Sequence, residues 1–142
     1  MGLNILIVDD SAVMRAMILK TLRLSGVPLG EVYQAGNGAE GLDVLHGNSV
    51  DLALVDINMP VMDGEEMITR IRQDPSIDQL AVIVVSTEGS DTRIEYLRQK
   101  GASFVHKPFT PEVLRSTIVG LTGVSNEQQF SDGAIQSGGL DF

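Results

Sequence analysis

The chain has 142 residues, 43% of them hydrophobic and 20% charged, which suits one soluble globular domain built on one core. Cysteine is absent, so a disulfide framework, a thiol nucleophile and a thiolate metal site are excluded. Ten Lys and Arg against nineteen Asp and Glu give a net charge of −9, the wrong sign for gripping a nucleic acid and the right one for cations or a basic partner.

Leu3–Val8 is a nearly unbroken apolar run, as in a strand buried on both faces. Ser11–Leu24 follows at helical spacing, with Met14, Met17, Ile18 and Leu22 on one stripe. A strand at Val32–Ala35 leads into a helix over Asn37–Leu45, whose Asn37 and Glu40 come close to a capping box. Leu52–Val55 is the third strand and Glu65–Arg72 the third helix, with Met67, Ile68 and Ile71 turned inward. The strand Ala81–Val85 precedes a helix over Ser90–Lys100 that offers Ile94 and Leu97 and stops at Gly101. A weaker strand at Ser103–Val105 leads to a helix over Thr110–Thr122, opened by a capping Thr and a first-turn Pro and closed by Gly123. Five strands alternating with five helices predict an α/β doubly wound domain on a parallel sheet. That domain covers residues 1–124. Residues 125–142 carry three acids, no Lys or Arg and scattered apolar side chains, and read as an acidic tail. No apolar run could span a bilayer and no signal peptide is visible, so a cytoplasmic protein is expected.

Ligands of open parallel sheets bind beyond the carboxyl ends of the strands. The first strand ends in Asp9-Asp10 and the third in Asp56. If these strands are neighbours, three carboxylates converge, and like charges held together in a partly dry crevice raise each other's pKa. A divalent cation removes that conflict. All-oxygen ligands favour a hard ion, Mg²⁺ or Mn²⁺. Ser86 follows the fourth strand and Lys107 the fifth. A hydroxyl, an ammonium and a cation around a carboxylate suit the stabilisation of phosphoryl oxygens on that carboxylate.

These residues lead to a family. Over roughly residues 3–122 the chain resembles the receiver domain of two-component response regulators. The matching motifs are Ile-Val-Asp-Asp-Ser at 7–11, Val-Asp-Ile-Asn-Met-Pro-Val-Met-Asp-Gly at 55–64, Val-Ser-Thr-Glu at 85–88 and Lys-Pro-Phe at 107–109. Within the family it looks closest to the single-domain chemotaxis regulators of the CheY type. The resemblance implies a flavodoxin-like five-stranded sheet of order 2-1-3-4-5 and makes Asp56 the phosphoacceptor for a histidine kinase. It further implies Mg²⁺ held by Asp9, Asp10, Asp56 and the carbonyl of Asn58, with Ser86 and Lys107 on the phosphoryl group. Phe104 falls at the family's switch aromatic, and the Lys107–Pro108 peptide is expected to be cis. A monomer signalling through a flagellar switch or other output protein follows, without nucleic acid or membrane insertion. The alternatives are a phosphoryl carrier in a phosphorelay and a phosphatase like the haloacid dehalogenases. The phosphatase needs a second Asp two residues after its nucleophile, where this chain has Asn58, which cannot protonate a leaving group.

Two departures from the family pattern stand out. Thr87 replaces a smaller residue, which predicts tighter access to Asp56, and Phe104 lacks the hydroxyl of the Tyr common in chemotaxis regulators. His46 and His106 read as surface residues. The tail is expected to pack through Phe130 and Ile135 near the face formed by the fourth helix, fifth strand and fifth helix.

Overall fold

The helices begin where short polar side chains can close the first turn. The elements are β1 (Leu3–Val8), α1 (Ala12–Ser25), β2 (Leu29–Ala35), α2 (Gly38–Gly47), β3 (Leu52–Val55), α3 (Gly64–Gln73), β4 (Ala81–Ser86), α4 (Asp91–Gln99), β5 (Ser103–His106) and α5 (Pro111–Thr122). They come from a computed structural model that describes residues 2–87 and 89–123. Ser11, Asn37, Asp63, Ser90 and Thr110 each accept the amide of the third residue of their helix, satisfying a donor that the helix leaves open.

The strands form one parallel sheet in the order β2-β1-β3-β4-β5. Alternate side chains point to opposite faces, so the sheet has a core on each side. Ile5, Ile7, Leu54, Ile83 and Val105 meet Ile18 and Leu22 of α1 and Leu114 and Ile118 of α5. On the other side Leu6, Val8, Val55, Val82 and Val84 meet Leu45 of α2, Met67, Ile68 and Ile71 of α3, and Leu97 of α4. Val8, Val55 and Val84 share one row across the three central strands. Asp9 and Asp56 are therefore the next residues out on adjacent strands.

Asn4 fastens the opposite end. Its side chain accepts Glu31 N–H at 2.9 Å and donates to Ser49 O at 3.1 Å. Its own amide donates to the Asp51 carboxylate at 2.8 Å, and Asp51 N–H returns to the Asn4 carbonyl at 2.8 Å. Arg72, near the end of α3, donates to the carbonyls of Lys100 and Leu80 at 2.7 Å, Asp78 at 3.0 Å and Gly101 at 3.4 Å. It joins α3 to the chain entering β4 and to the turn entering β5. Burial pulls its guanidinium below the usual range.

The structure corrects two expectations, the start of β2 and the burial of Met17, and adds a partner to His46, which is at the surface as expected. β2 starts at Leu29 rather than Val32, because this edge strand is covered less and carries Gly30 and Glu31 among its apolar residues. Met17 leaves the buried stripe of α1 and is 54% exposed, since Ile18 and Leu22 already fill the groove over β1 and β3. His46 is exposed but not idle: its Nε2 lies 2.7 Å from Asp74 Oδ2, and Ser76 also bonds Asp74. The His46 hydrogen bond, helped by Ser76, holds the Asp74 carboxyl down at about 2. Among the described residues no helix is long and apolar enough to cross a membrane. Residues 124–142, including the expected tail contacts, lie outside the described residues.

Candidate functional site

The carboxyl ends of β1, β3, β4 and β5 open onto one crevice. Asp9 is anchored first: its amide donates to Ala35 O at 3.1 Å, and its Oδ1 accepts Ser11 N–H at 2.9 Å. Its carbonyl takes the Arg15 guanidinium at 2.6 Å, while Arg15 Nε bonds Gln34 at 3.0 Å. Asp10 follows and is exposed. Asp56 is held by its own amide, 2.9 Å from Val8 O, so its side chain leaves β3 directly beside β1.

Lys107 reaches into this group from the end of β5. Its amide donates to Ser86 O at 2.9 Å, and the Lys107–Pro108 peptide is cis, as the resemblance implied. The ammonium lies 3.2 Å from Asp9 Oδ2 and 3.6 Å from Asp56 Oδ1, with the three side chains only 14%, 3% and 13% exposed. One oxygen each from Asp9, Asp10 and Asp56 falls within a 4.8 Å cluster. One ammonium among three carboxylates leaves a deficit of positive charge. Burial pushes the Asp56 carboxyl above its ordinary value, Lys107 opposes the rise, and Asp9 adds to it. An all-oxygen donor set short of positive charge fits a hard divalent cation, with Asp9, Asp10 and Asp56 as its holders.

The raised Asp56 pKa has a consequence for stability. Folding disfavours its ionised form, so the carboxylate costs stability at pH values above the folded pKa. The cost disappears as pH falls below the unfolded value. In metal-free buffer at neutral pH, Asp56→Asn should therefore stabilise the protein by about 1 kcal/mol, about 3–5 °C in Tm. Thermal scans on both proteins should show the gap closing in acid. A lower Tm for the variant at neutral pH would contradict this reading.

The remaining sequence candidates surround the group. Ser86 ends β4 and is 1% exposed. It pairs in register with His106, while Val84 pairs with Phe104, so Ser86, Phe104 and His106 share one sheet face. Phe104 is half-buried against the core beneath α2, α3 and α4, its ring centroid 4.7 Å from that of His106. Thr87 is exposed at the rim of an apolar hollow of about 310 Å³ that Met14, Met17, Lys107 and Phe109 also line. Asn58 is exposed in the loop after β3, and Glu88 lies outside the described residues.

That loop contains two details of different legibility. Gly64 is forced: a Cβ there would overlap the Asp56 carbonyl oxygen, and its amide donates to Ile57 O at 2.8 Å. Val61, by contrast, has φ of 67° although it is β-branched, and its side chain is 82% exposed. Nothing in the sequence signals a left-handed residue there, because Gly or Asn is the usual choice. Val61→Gly loses no packing and removes steric strain, partly offset by a more flexible unfolded chain. A gain of about 0.5–1 kcal/mol in urea unfolding is expected, and a loss would show the strain to be negligible.

Sequence reasoning also missed Arg15 as a support for Asp9. The signal available was a basic residue one turn into the helix that follows the acid pair.

Comparison with known proteins agrees with this geometry. The family model described as response regulator receiver domain matches residues 5–119. A Campylobacter jejuni protein named chemotaxis protein CheY homolog is 32% identical over 126 residues, 87% of this chain and 95% of that protein. The chemotaxis protein CheY of Pseudomonas aeruginosa is 35% identical over 117 residues, 82% of this chain and 93% of its own. Among solved structures, chemotaxis protein CheY4 of Vibrio cholerae superposes with a TM-score of 0.75 at 31% identity, covering 85% of this chain and 99% of that one. A CheY-like receiver domain protein from Methanospirillum hungatei gives a TM-score of 0.75 at 27% identity, covering 87% and 95%. With its sheet order, its acidic cluster and these matches, the chain belongs to the response regulator receiver domain family.

Proposed function

We propose that this receiver domain accepts a phosphoryl group on Asp56 from a histidine kinase and relays the change to an output partner in chemotaxis. The observation that carries the proposal is the Asp56 carboxylate beside Lys107 and within the Asp9–Asp10 cluster, beyond the carboxyl end of the central strand of a parallel sheet. An Asp56 oxygen attacks phosphorus, the P–N bond of the phosphohistidine breaks, and the imidazole keeps the electron pair. Asp9, Asp10, Asp56 and the Asn58 carbonyl are the residues that would hold Mg²⁺. When bound, the ion offsets the charge of the carboxylates and of the phosphoryl oxygens. Lys107 loses part of its hold on the Asp56 carboxylate and takes up a phosphoryl oxygen instead. Ser86 donates its hydroxyl to another.

The switch follows from the shared sheet face. Drawing the Ser86 hydroxyl towards Asp56 vacates space on the side of the sheet where Phe104 is half-buried, and the ring moves inward. The surface of α4, β5 and α5 changes with it. The names of the Campylobacter and Pseudomonas relatives favour a chemotaxis output such as a flagellar switch. A carrier role in a phosphorelay would use the same Asp56 chemistry. Comparing proteins captured by the chain with and without beryllofluoride separates the two: a switch component supports chemotaxis, a phosphotransfer protein the relay.

Thr87 sets the lifetime of the phosphorylated form. Its branched side chain lines the same hollow as Lys107, and in this reading its bulk narrows the approach of attacking water to the phosphorus. Thr87→Ala should shorten that lifetime by about 3-fold, less than 1 kcal/mol of barrier. An unchanged or longer decay, followed by loss of phosphoprotein after donor removal, would show that residue 87 does not limit water.

A further inference from the structure

The geometry points to Arg15 as a positioning residue that aims the Asp10 carboxylate at the cation site. This rests on the reading of the acid cluster as a holder of Mg²⁺ and concerns how one member of it is kept in place. The three acids are held unequally. Asp9 is buried and engaged through both oxygens, Oδ1 by Ser11 N–H at 2.9 Å and Oδ2 by the Lys107 ammonium at 3.2 Å. Asp56 has Lys107 at 3.6 Å and a hydrogen bond from the Ile57 amide. Asp10 is exposed, and among the described residues no hydrogen bond reaches its side chain. One of its oxygens nevertheless joins the 4.8 Å cluster. What holds it there has to come from the backbone that carries it.

The peptide entering Asp10 is fixed by Arg15. Its carbonyl oxygen, that of Asp9, accepts Arg15 Nη1 at 2.6 Å. Because the peptide group is planar, fixing that oxygen also fixes the direction of the Asp10 N–Cα bond and so the origin of its side chain. Arg15 is itself held on two further sides. Its amide donates to Ser11 O at 3.0 Å, and its Nε donates to Gln34 Oε1 at 3.0 Å. Gln34 stands opposite Ile7 in the β1–β2 register, and the Asp9 amide donates to Ala35 O at 3.1 Å. The guanidinium therefore braces the β1–α1 turn against the end of β2. Its rigid fork serves two acceptors at once, which a lysine ammonium does not reproduce with the same geometry.

Charge and position make opposite demands here. By charge alone a guanidinium beside the cluster repels a divalent cation, so removing it should tighten binding. By position, removing it frees the Asp10 peptide and should weaken binding. The test is Mg²⁺ alone titrated into the full chain at constant ionic strength, followed by the amide shifts of Asp10 and Ile57. Arg15→Met should raise the Kd about 10-fold, the size of effect typical of a group that orients a metal ligand. Gln34 is exposed, so Gln34→Leu leaves the fold intact, and it should raise the Kd about 3-fold by freeing Nε. Arg15→Lys keeps the charge and one donor and should recover part of the affinity lost in Arg15→Met. In an Asp10→Ala background, Arg15→Met should change the Kd by less than about 2-fold, because the side chain it acts through is gone. Tighter or unchanged binding in Arg15→Met overturns the inference and leaves the cation site standing. An equal loss in the Asp10→Ala background also overturns it, since Arg15 then supports the whole turn. No Mg²⁺-dependent shift in the unaltered chain removes the cation site and the inference together.

Discussion

Asp56→Asn should take up no phosphoryl group from acetyl phosphate and Mg²⁺, where the unaltered chain gains one. The amide oxygen keeps the size of the carboxylate but lacks its negative charge, so the nucleophile is lost while the fold stays intact. The expected fall in uptake is at least about 100-fold, read by intact-protein mass spectrometry. Asp10→Asn should retain the nucleophile and need more Mg²⁺ for the same uptake, since one carboxylate of the cluster is gone. Uptake by Asp56→Asn at the wild-type rate would place the acceptor elsewhere and overturn the proposed function.

Arg72→Met is the most damaging single change expected outside the cores. Its guanidinium serves the carbonyls of Asp78, Leu80, Lys100 and Gly101, and Met reproduces the aliphatic stem but none of the donors. Some of the abandoned carbonyls can turn to water and others cannot, so the loss should be about 2–4 kcal/mol. Urea unfolding will show it as a lower midpoint at unchanged slope. Phosphoryl uptake by the folded variant should persist, because the acceptor group lies at the opposite ends of the strands. A loss below about 0.5 kcal/mol would mean that the four carbonyls find water readily.

Much of this was legible in the chain because local and global signals agree. The polar residues before each apolar stripe became helix caps, and the unbroken Val, Ile and Leu runs became the central strands. The acids after β1 and β3 met because those strands are neighbours, a pairing that the motifs implied and the register displays. What stayed hidden depends on partners far along the chain. Arg72 read as the end of a helix, and its acceptors lie 6 to 29 residues away on two later turns. His46 and Asp74 are 28 residues apart and carry no motif. Met17 has the right spacing to be buried and the wrong angle around the helix, which periodicity does not resolve.

The Asn4 clamp also sets how far a change of charge at Asp56 can be felt. Asp9 lies five residue steps beyond Asn4, about 17 Å along the strand. That exceeds the distance of about 10 Å over which charges act through salt water. A phosphoryl dianion thus alters the potential at one end of the sheet, while the other is held by neutral amides and a carboxylate already satisfied by Asn4. One end of the molecule works as an instrument and the other as its mount. A disturbance at the acceptor must then spread sideways from strand to strand along the rim, towards β4 and β5, rather than down the strands.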